Sequence, residues 1–424
     1  MSSNGGDSAA LSVALVGFGT VGRAVARILC NGAHRRLRLT HICNRGIARK
    51  KVDWVPGDVT WTEDIDVVLG SDADVVVELI GGLEPATDWI RRALEAGKSV
   101  VTANKQVIAQ GGANLEALAL RRRVQLGFEA AVAGGIPIIQ GLRRGLAGDR
   151  LVRILAILNG TCNYILTRME AGGVAFDAAL REAQELGYAE ADPSADVDGQ
   201  DAQAKLAILS AVGLRCPLAP DSIPLRTIAT VDAIDFVYVR QLGCTIRQVS
   251  RAARSADGRV CAAVQPMLVP RSSALAHVQG SGNIVVVEGE LGGETAFSGH
   301  GAGGDPTAVA VVSDLEAVAA APGGGAPSLL DGAVAPVAEE FESPHYIRFV
   351  VNDRPGIVAA LAGVFAQHGL NLDSVLQEPR GRKQQLAFVM TLDPCNSGIV
   401  TAALRDAAAL DFHARPPLWM PVLA

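Results

Sequence analysis

This chain has no run of uncharged apolar residues approaching the roughly 18 that a membrane-spanning helix needs, although 49% of its 424 residues are hydrophobic. It has no basic excess either. Thirty-eight lysines and arginines stand against 44 aspartates and glutamates, a net charge of -6, which argues against nucleic acid as the main partner. Short runs such as Arg121-Arg122-Arg123 and Arg143-Arg144 read as solvated helix faces rather than phosphate sites. The seven cysteines (30, 43, 162, 216, 244, 261 and 395) are scattered, odd in number and contain no CxxC pair. Neither a zinc site nor a disulfide framework is indicated, and a reducing cytoplasm is the expected location. The start, MSSNGGDSAALSVALVGFG, lacks a cationic segment, and its apolar run flows into a glycine motif, so it does not read as a signal peptide.

The length suffices for two or three domains. Residues 12–16 read as a buried strand, followed by GFGTVG at 17–22 and a helix. Further strands are expected at 37–43, 73–81 and 99–103, with a helix at 87–96 closed by Gly97. Alternating strands and helices predict an α/β fold with a Rossmann-like, doubly wound parallel sheet. From about 150 the texture changes. A strand, then helices at 161–171, 175–186 and 199–213, and strands at 244–250, 259–269 and 283–290 predict an α+β domain with an open mixed sheet. A helix ending near 320 is followed by a Gly/Ala/Pro-rich linker, and 345–424 reads as a small ferredoxin-like βαββαβ unit. The domain boundaries expected are 1–135, completed by helix 305–320; 136–304; a linker at 321–344; and 345–424.

Gly17-Phe18-Gly19-Thr20-Val21-Gly22 follows a strand and opens a helix, the context in which GxGxxG signals a dinucleotide site. An acid at the end of the second strand would hold the ribose hydroxyls of NAD. Asn44-Arg45 stands there instead, with Lys50 and Lys51 beyond. Arg45 suits a 2′-phosphate, which favours NADP with NAD still possible; the alternative is that Arg45 simply faces solvent. Thr102-Ala103-Asn104-Lys105 closes another strand, which puts Lys105 at the cofactor crevice, unless it is a plain surface lysine.

The densest stretch is 187–205, GYAEADPSADVDGQDAQAK. With Glu185 just upstream, Glu190, Asp192, Asp196, Asp198 and Asp201 crowd a loop before an apolar helix that carries Lys205. Asp198 is placed to cap that helix in a capping-box-like start with Asp201. Asp201 and Lys205, at i and i+4, share a face. Lys205 is either a snorkelling surface lysine in an ordinary ion pair or a group held in a site.

ELIGG (78–82), EPA (84–86), VVTANK (100–105), FEAAVAGGIPII (128–139), ILNGTCNYIL (157–166), ELGYAEADPSADVDGQDAQAKLAIL (185–209) and SGHGAGGDPTA (298–308) resemble the homoserine dehydrogenases in order and spacing. NDRPGIVAALAGVFAQHGLNLDSVLQ, within the tail from 345, resembles an ACT regulatory domain. No kinase segment precedes residue 10, so the resemblance is to the monofunctional form.

The resemblance implies NAD(P)H-dependent reduction of aspartate 4-semialdehyde to homoserine. It assigns Lys205 as proton donor, with Glu190 and Asp201 binding substrate and Glu190 facing its ammonium. The Asn159-Gly160-Thr161 turn precedes a helix, and its N–H groups, at Gly160 and Thr161, would hold the substrate carboxylate. Cofactor would meet the 17–22 loop, Arg45, Thr102, Lys105, Gly187, Gly301 and Gly303. Glu129 and the carbonyls of Val132, Gly134 and Ile136 would bind a monovalent cation, Na+, the alternative being that Glu129 caps the domain hinge without metal. The ACT-like tail implies an amino-acid effector, threonine, and a homodimer or homotetramer; removal of 340–424 is expected to abolish the response and leave activity. Cys162, where threonine is common, and His300, in the glycine loop, depart from the pattern. A non-catalytic amino-acid or NADPH sensor, or a dehydrogenase of another amino-acid aldehyde, are the competing readings.

Overall fold

The computed structural model describes residues 10–255, 259–321, 328, 330–338, 340–378 and 385–423. The PGGGAP stretch of the expected linker, 322–327, therefore lies outside the described residues. The chain divides into two compact units: Met1–Leu151, Ala204–Pro220 and Glu288–Ala335 form the first, and Val152–Gln203, Asp221–Val287 and Pro336–Ala424 the second.

The first unit holds a parallel sheet. Its strands are β1 (Leu11–Val16), β2 (Leu37–Cys43), β3 (Thr60–Thr62), β4 (Val75–Glu78), β5 (Ser99–Thr102) and β6 (Leu126–Gly127), in the order β3-β2-β1-β4-β5-β6. β4 and β5, VVVE and SVVT, are buried at every position. Helices cover both faces of such a sheet, which is why its strands read as apolar runs rather than alternations. The late helix Gly304–Ala320 belongs to this unit. Its Ala308, Val311, Val312 and Leu315 share one core with Val25 and Leu29 of helix Thr20–Cys30 and with Val13 and Leu15 of β1. β3 and β6 have three and two residues, too short to carry a legible period.

The second unit contains β7 (Leu151–Ile157), β8 (Cys244–Arg254), β9 (Val260–Pro270) and β10 (Gly282–Gly289). Strand β11 (Gly293–His300) lies in the first unit and carries no apolar alternation, so it escaped the sequence reading. β7, β8 and β9 pair antiparallel, and β12 (Val337–Ala338) adds to β9 in parallel, which makes the sheet mixed as expected. The tail forms β13 (Glu342–Val351), β14 (Leu372–Gln377), β15 (Leu386–Asn396) and β16 (His413–Pro421), an antiparallel sheet in the order β14-β15-β13-β16. With helices Ile357–Gln367 and Ser397–Ala408 it is the expected βαββαβ unit.

Both faces of that tail sheet are buried. Ile347, Phe349 and Phe388 pack under the two helices. Tyr346, Val389, Leu418 and Met420 face the other way, into one core with Phe236 and Tyr238 of helix Ala233–Gln241 and with Ile165 and Met169 of helix Gly160–Gly172. Polar groups are built into this contact. Tyr346 Oη donates to Asp235 Oδ1 at 2.6 Å, Arg348 pairs with Asp235 at 3.2 Å and with Asp232, and Arg415 reaches Asp232 at 3.0 Å. Tyr238 Oη donates to the Ala387 carbonyl at 2.9 Å. This corrects the expectation about truncation: deleting 340–424 would strip a face from a shared core, and loss of activity would then report misfolding.

The predicted cap at Asp198 is also corrected. Asp198 ends the short turn Ser194–Val197, and the long helix is Gln200–Leu214. Gly199, at φ +96°, intervenes, and its carbonyl accepts the N–H of Gln203 at 2.9 Å. A left-handed residue breaks the chain direction between the two helices, and only glycine adopts it without strain.

Candidate active site

Site groups occur in both units. In the first, three glycines shape the loop after β1. Gly17 has φ +106°, and a Cβ there would lie 2.7 Å from the Leu79 carbonyl oxygen. A Cβ at Gly22 would lie 2.0 Å from the Gly17 carbonyl oxygen, whereas nothing lies within 4 Å of one at Gly19. Two glycines thus allow the loop to close on itself and on the chain beyond β4, and the third leaves open space before the helix Thr20–Cys30. That helix has no side-chain cap, so its first N–H groups remain available to an anion such as pyrophosphate. Phe18 has a different role. Its ring is buried against Trp61, centroids 5.0 Å apart, and its N–H donates to Asn44 Oδ1 at 2.9 Å, so it braces the loop. Asn44 closes β2 where an acid would meet ribose, and Arg45 beside it is exposed, with Lys50 Nζ 3.4 Å from Asn44 Oδ1.

Beyond β4 and β5, a residue the motif reading passed over organises the sheet edge. Glu78 is buried, accepts the N–H groups of Ile80 at 2.8 Å and Gly81 at 3.3 Å, and takes the Thr102 hydroxyl at 2.6 Å. The hydroxyl of Thr102 is therefore committed to Glu78, and Thr102 shapes the edge rather than offering a free donor. Asn104 caps the helix Lys105–Arg122 through Val107 N–H at 3.3 Å and donates to the Gly82 carbonyl at 2.7 Å. Lys105 is the first residue of that helix and half-buried. A buried acid ending an apolar VVVE strand was the available signal for Glu78; an asparagine just before a helix was the one for Asn104.

Glu129 is 2% exposed. Its carboxylate accepts the N–H groups of Ile139 at 2.7 Å and Gln140 at 2.8 Å, and its own N–H donates to Asp314 Oδ2 at 2.8 Å. Burial, with the Asp314 charge adding to it, pushes Glu129 up to about 7; burial raises Asp314 to about 6. The following backbone is turned at Ala133 (φ +55°) and Gly134 (φ +51°). A Cβ at Gly134 would lie 2.5 Å from the Gly301 carbonyl oxygen, and Gly135 N–H donates to the His300 carbonyl at 3.1 Å, so the glycine loop at 299–304 is fitted against this turn. Among the described residues no cluster of three or more His, Cys, Asp or Glu side chains could hold a metal. Any cation here would rest on carbonyls plus Glu129. Two neighbouring buried carboxylates with raised proton affinity fit such a cation.

In the second unit, Asn159 caps helix Gly160–Gly172 by accepting Cys162 N–H at 2.8 Å. Its amide nitrogen reaches Asp196 Oδ1 at 2.7 Å and Asp201 Oδ2 at 2.9 Å. Gly160 is required by crowding, since a Cβ there would lie 2.8 Å from the Ser281 carbonyl oxygen. The Thr161 hydroxyl donates to the Tyr188 carbonyl at 2.7 Å, so only the backbone of Gly160 and Thr161 is left to meet a ligand. Of the six carboxylates read from the sequence, Asp192 caps its own turn at Ser194, and Asp196 and Asp201 converge on Asn159. Glu190 is exposed, and its carboxylate has no hydrogen-bond partner among the described residues; its carbonyl accepts from Gln184 Nε2 at 3.1 Å. Gly187 is exposed at φ +77°. Asp201 of the second unit and Lys205, which belongs to the first, stand one turn apart on helix Gln200–Leu214, both half-buried. In the first unit, Gly301 is buried and Gly303 exposed at φ +117°.

Comparison with known proteins matches residues 17–129 to the family described as homoserine dehydrogenase, NAD binding domain, 137–315 to homoserine dehydrogenase and 345–409 to the ACT domain. A homoserine dehydrogenase of Mycobacterium tuberculosis (strain ATCC 25618 / H37Rv) is 42% identical over 387 residues, covering 88% of each protein. The crystal structure of a homoserine dehydrogenase from Thiobacillus denitrificans superposes with a TM-score of 0.89 at 35% identity, over 97% of this chain and 98% of that one. A hyperthermophilic archaeal homoserine dehydrogenase in complex with NADPH matches at TM-score 0.62 and 30% identity, over 72% of this chain and 96% of its own.

Proposed function

The chain belongs to the homoserine dehydrogenase family, a family of nicotinamide-dependent oxidoreductases, and on that premise we propose that it interconverts L-aspartate 4-semialdehyde and L-homoserine with NADP in preference to NAD. The nicotinamide, when bound, supplies or accepts the hydride at the carbon of the aldehyde. Lys205 gives its proton to the carbonyl oxygen as the hydride arrives and recovers it in the reverse direction. Glu190 and Asp201 take the substrate ammonium, and the first N–H groups at Gly160 and Thr161 take its carboxylate. The 17–22 loop, Arg45, Lys105, Gly187, Gly301 and Gly303 serve the cofactor, with Thr102 as part of the supporting edge. Arg45 beside an uncharged Asn44 is what favours the 2′-phosphate. The observation that carries this reading is the helix Gln200–Leu214, which presents Asp201 and Lys205 one turn apart at the end of the carboxylate loop.

A monovalent cation, Na+, rests on Glu129 with the carbonyls of Val132, Gly134 and Ile136, where it neutralises buried negative charge. The tail binds threonine, the end product of the route through homoserine to threonine, methionine and isoleucine. A cavity of about 490 Å³ lined by Asp353, Arg354, Gly356 and Gln377, at the NDRPG turn, supports an amino-acid ligand there. The functional parts run 1–135 with helix 305–320, 136–304 and 345–424, and the active form is a homodimer or homotetramer.

The test is nicotinamide absorbance of purified protein with L-homoserine and either NADP+ or NAD+, with and without threonine. Homoserine-dependent reduction, faster with NADP+ and slowed by threonine, is expected. No turnover in folded protein would overturn the reading.

A further inference from the structure

Asn159 is 4% exposed, and every polar atom of its side chain is engaged. Oδ1 accepts the Cys162 N–H at 2.8 Å, and a backbone N–H can only donate. That bond fixes which end of the amide is oxygen, so Nδ2 faces Asp196 Oδ1 at 2.7 Å and Asp201 Oδ2 at 2.9 Å. Its two N–H groups thus meet one carboxylate from the turn Ser194–Val197 and another from the helix Gln200–Leu214. Asn163, one turn into the same helix, ties that helix in turn to the carbonyls of Val278, Gly280 and Gly282 at 3.2, 3.0 and 3.3 Å. The asparagine is therefore mounted on a braced helix start rather than on a loose loop.

We propose that Asn159 is a positioning residue for substrate binding: its amide clamps Asp196 and Asp201 into one fixed pair, whose negative charge recognises the amino group of the substrate. This rests on the reading of Asp201 as a substrate ligand. Two carboxylates drawn together repel each other and raise each other's proton affinity. Donors shared between them offset that repulsion and hold both in one geometry without adding positive charge. The amide is neutral, so it holds the pair without itself adding charge to it.

The capping and clamping roles of Asn159 can be separated. Serine and aspartate are both good N-caps, so N159S and N159D keep the acceptor for Cys162 N–H; ionised aspartate loses both donors, and serine keeps a single short hydroxyl donor that cannot hold both carboxylates. The assay is steady-state homoserine oxidation by the full-length protein, with melting temperature and KM for NADP+ measured alongside. N159S is expected to raise KM for homoserine about tenfold or more, the factor that goes with one lost charge-assisted hydrogen bond, with KM for NADP+ and melting temperature unchanged. N159D adds a pH signature. The titratable groups in contact with the Asn159 amide are Asp196 and Asp201; the Cys162 thiol donates to the Asp196 carbonyl at 3.1 Å, and Lys205 lies one turn beyond Asp201. Three carboxylates share a proton at low pH, which restores a donor, and lose it as pH rises. KM for homoserine in N159D should therefore climb with pH beyond any change seen in the wild type, toward the N159S value. If both variants bind homoserine like the wild type, the clamp is wrong and Asn159 is only a cap. If KM for NADP+ and melting temperature change as much as KM for homoserine, the role is general structure and the proposal also falls. An inactive wild type would instead overturn the parent reading.

Discussion

In the proposed mechanism Lys205 serves the chemistry and Glu190 the binding, so their variants should behave differently. Removal of a proton donor leaves the alkoxide formed by hydride transfer without its proton, and general acid catalysis is worth about 10²–10⁴-fold. Lys205→Ala should lose at least that much kcat while NADPH fluorescence titration shows cofactor bound as before; a near-normal rate would remove Lys205 from the mechanism. Glu190→Gln should raise KM for homoserine far more than KM for NADP+, and equal losses would deny Glu190 its contact with the ammonium. The roles of Lys205 and Glu190 came from the resemblance, while the shared face of Asp201 and Lys205 was open to sequence reasoning because residues four apart on a helix are neighbours whatever surrounds them. The role of Asn159 was not. Its partners lie 37 and 42 residues away in the chain, and no local period connects them.

Glu129 and the turn after it give a prediction at the level of the element. Its pKa is raised from the usual 4.5 to about 7 by burial, so the stability it contributes is fully present below about 4.5 and is lost as pH rises through 7. A cation bound there would offset that loss only where the carboxylate is ionised. Na+ in place of tetramethylammonium, at equal ionic strength, should raise the melting temperature more at pH 8 than at pH 5, and Glu129→Ala should erase the difference. An equal effect at both pH values would place the cation elsewhere. The joint between the tail sheet and helix Ala233–Gln241 gives a second. Tyr346→Phe removes one donor from the fully buried Asp235, a loss of about 1–3 kcal/mol, which corresponds to several degrees in melting temperature. An unchanged melting temperature would mean that this bond does not hold the joint.

For the molecule as a whole, the buried second face of the tail sheet changes how regulation is to be tested. Truncation would remove Tyr346, Val389, Leu418 and Met420 and expose their partners Ile165, Met169, Phe236 and Tyr238, so a point change is needed. Asp353 lines the cavity at the NDRPG turn, away from that face. Asp353→Ala should weaken threonine inhibition by about tenfold or more, the factor for a lost charge-assisted contact, with uninhibited turnover kept. Inhibition as strong as in the wild type would exclude this cavity as the threonine site.

The parallel sheet, the glycine loop and the βαββαβ tail were legible in the chain, because each depends on local order: buried strands alternating with helices, three glycines at fixed spacing, a turn followed by an apolar helix. Even helix Gly304–Ala320 could be assigned to the first sheet through its motif, though its packing beside Thr20–Cys30 could not be read from composition. Contacts distant in sequence became visible only in three dimensions. Glu78 holding Thr102, Asp314 beside Glu129, Asn159 between two aspartates and Asp235 under Tyr346 are each pairs whose members are innocuous in isolation. Their burial makes them matter, because a polar group removed from water must find its partner inside the fold, and folding alone decides which partner that is.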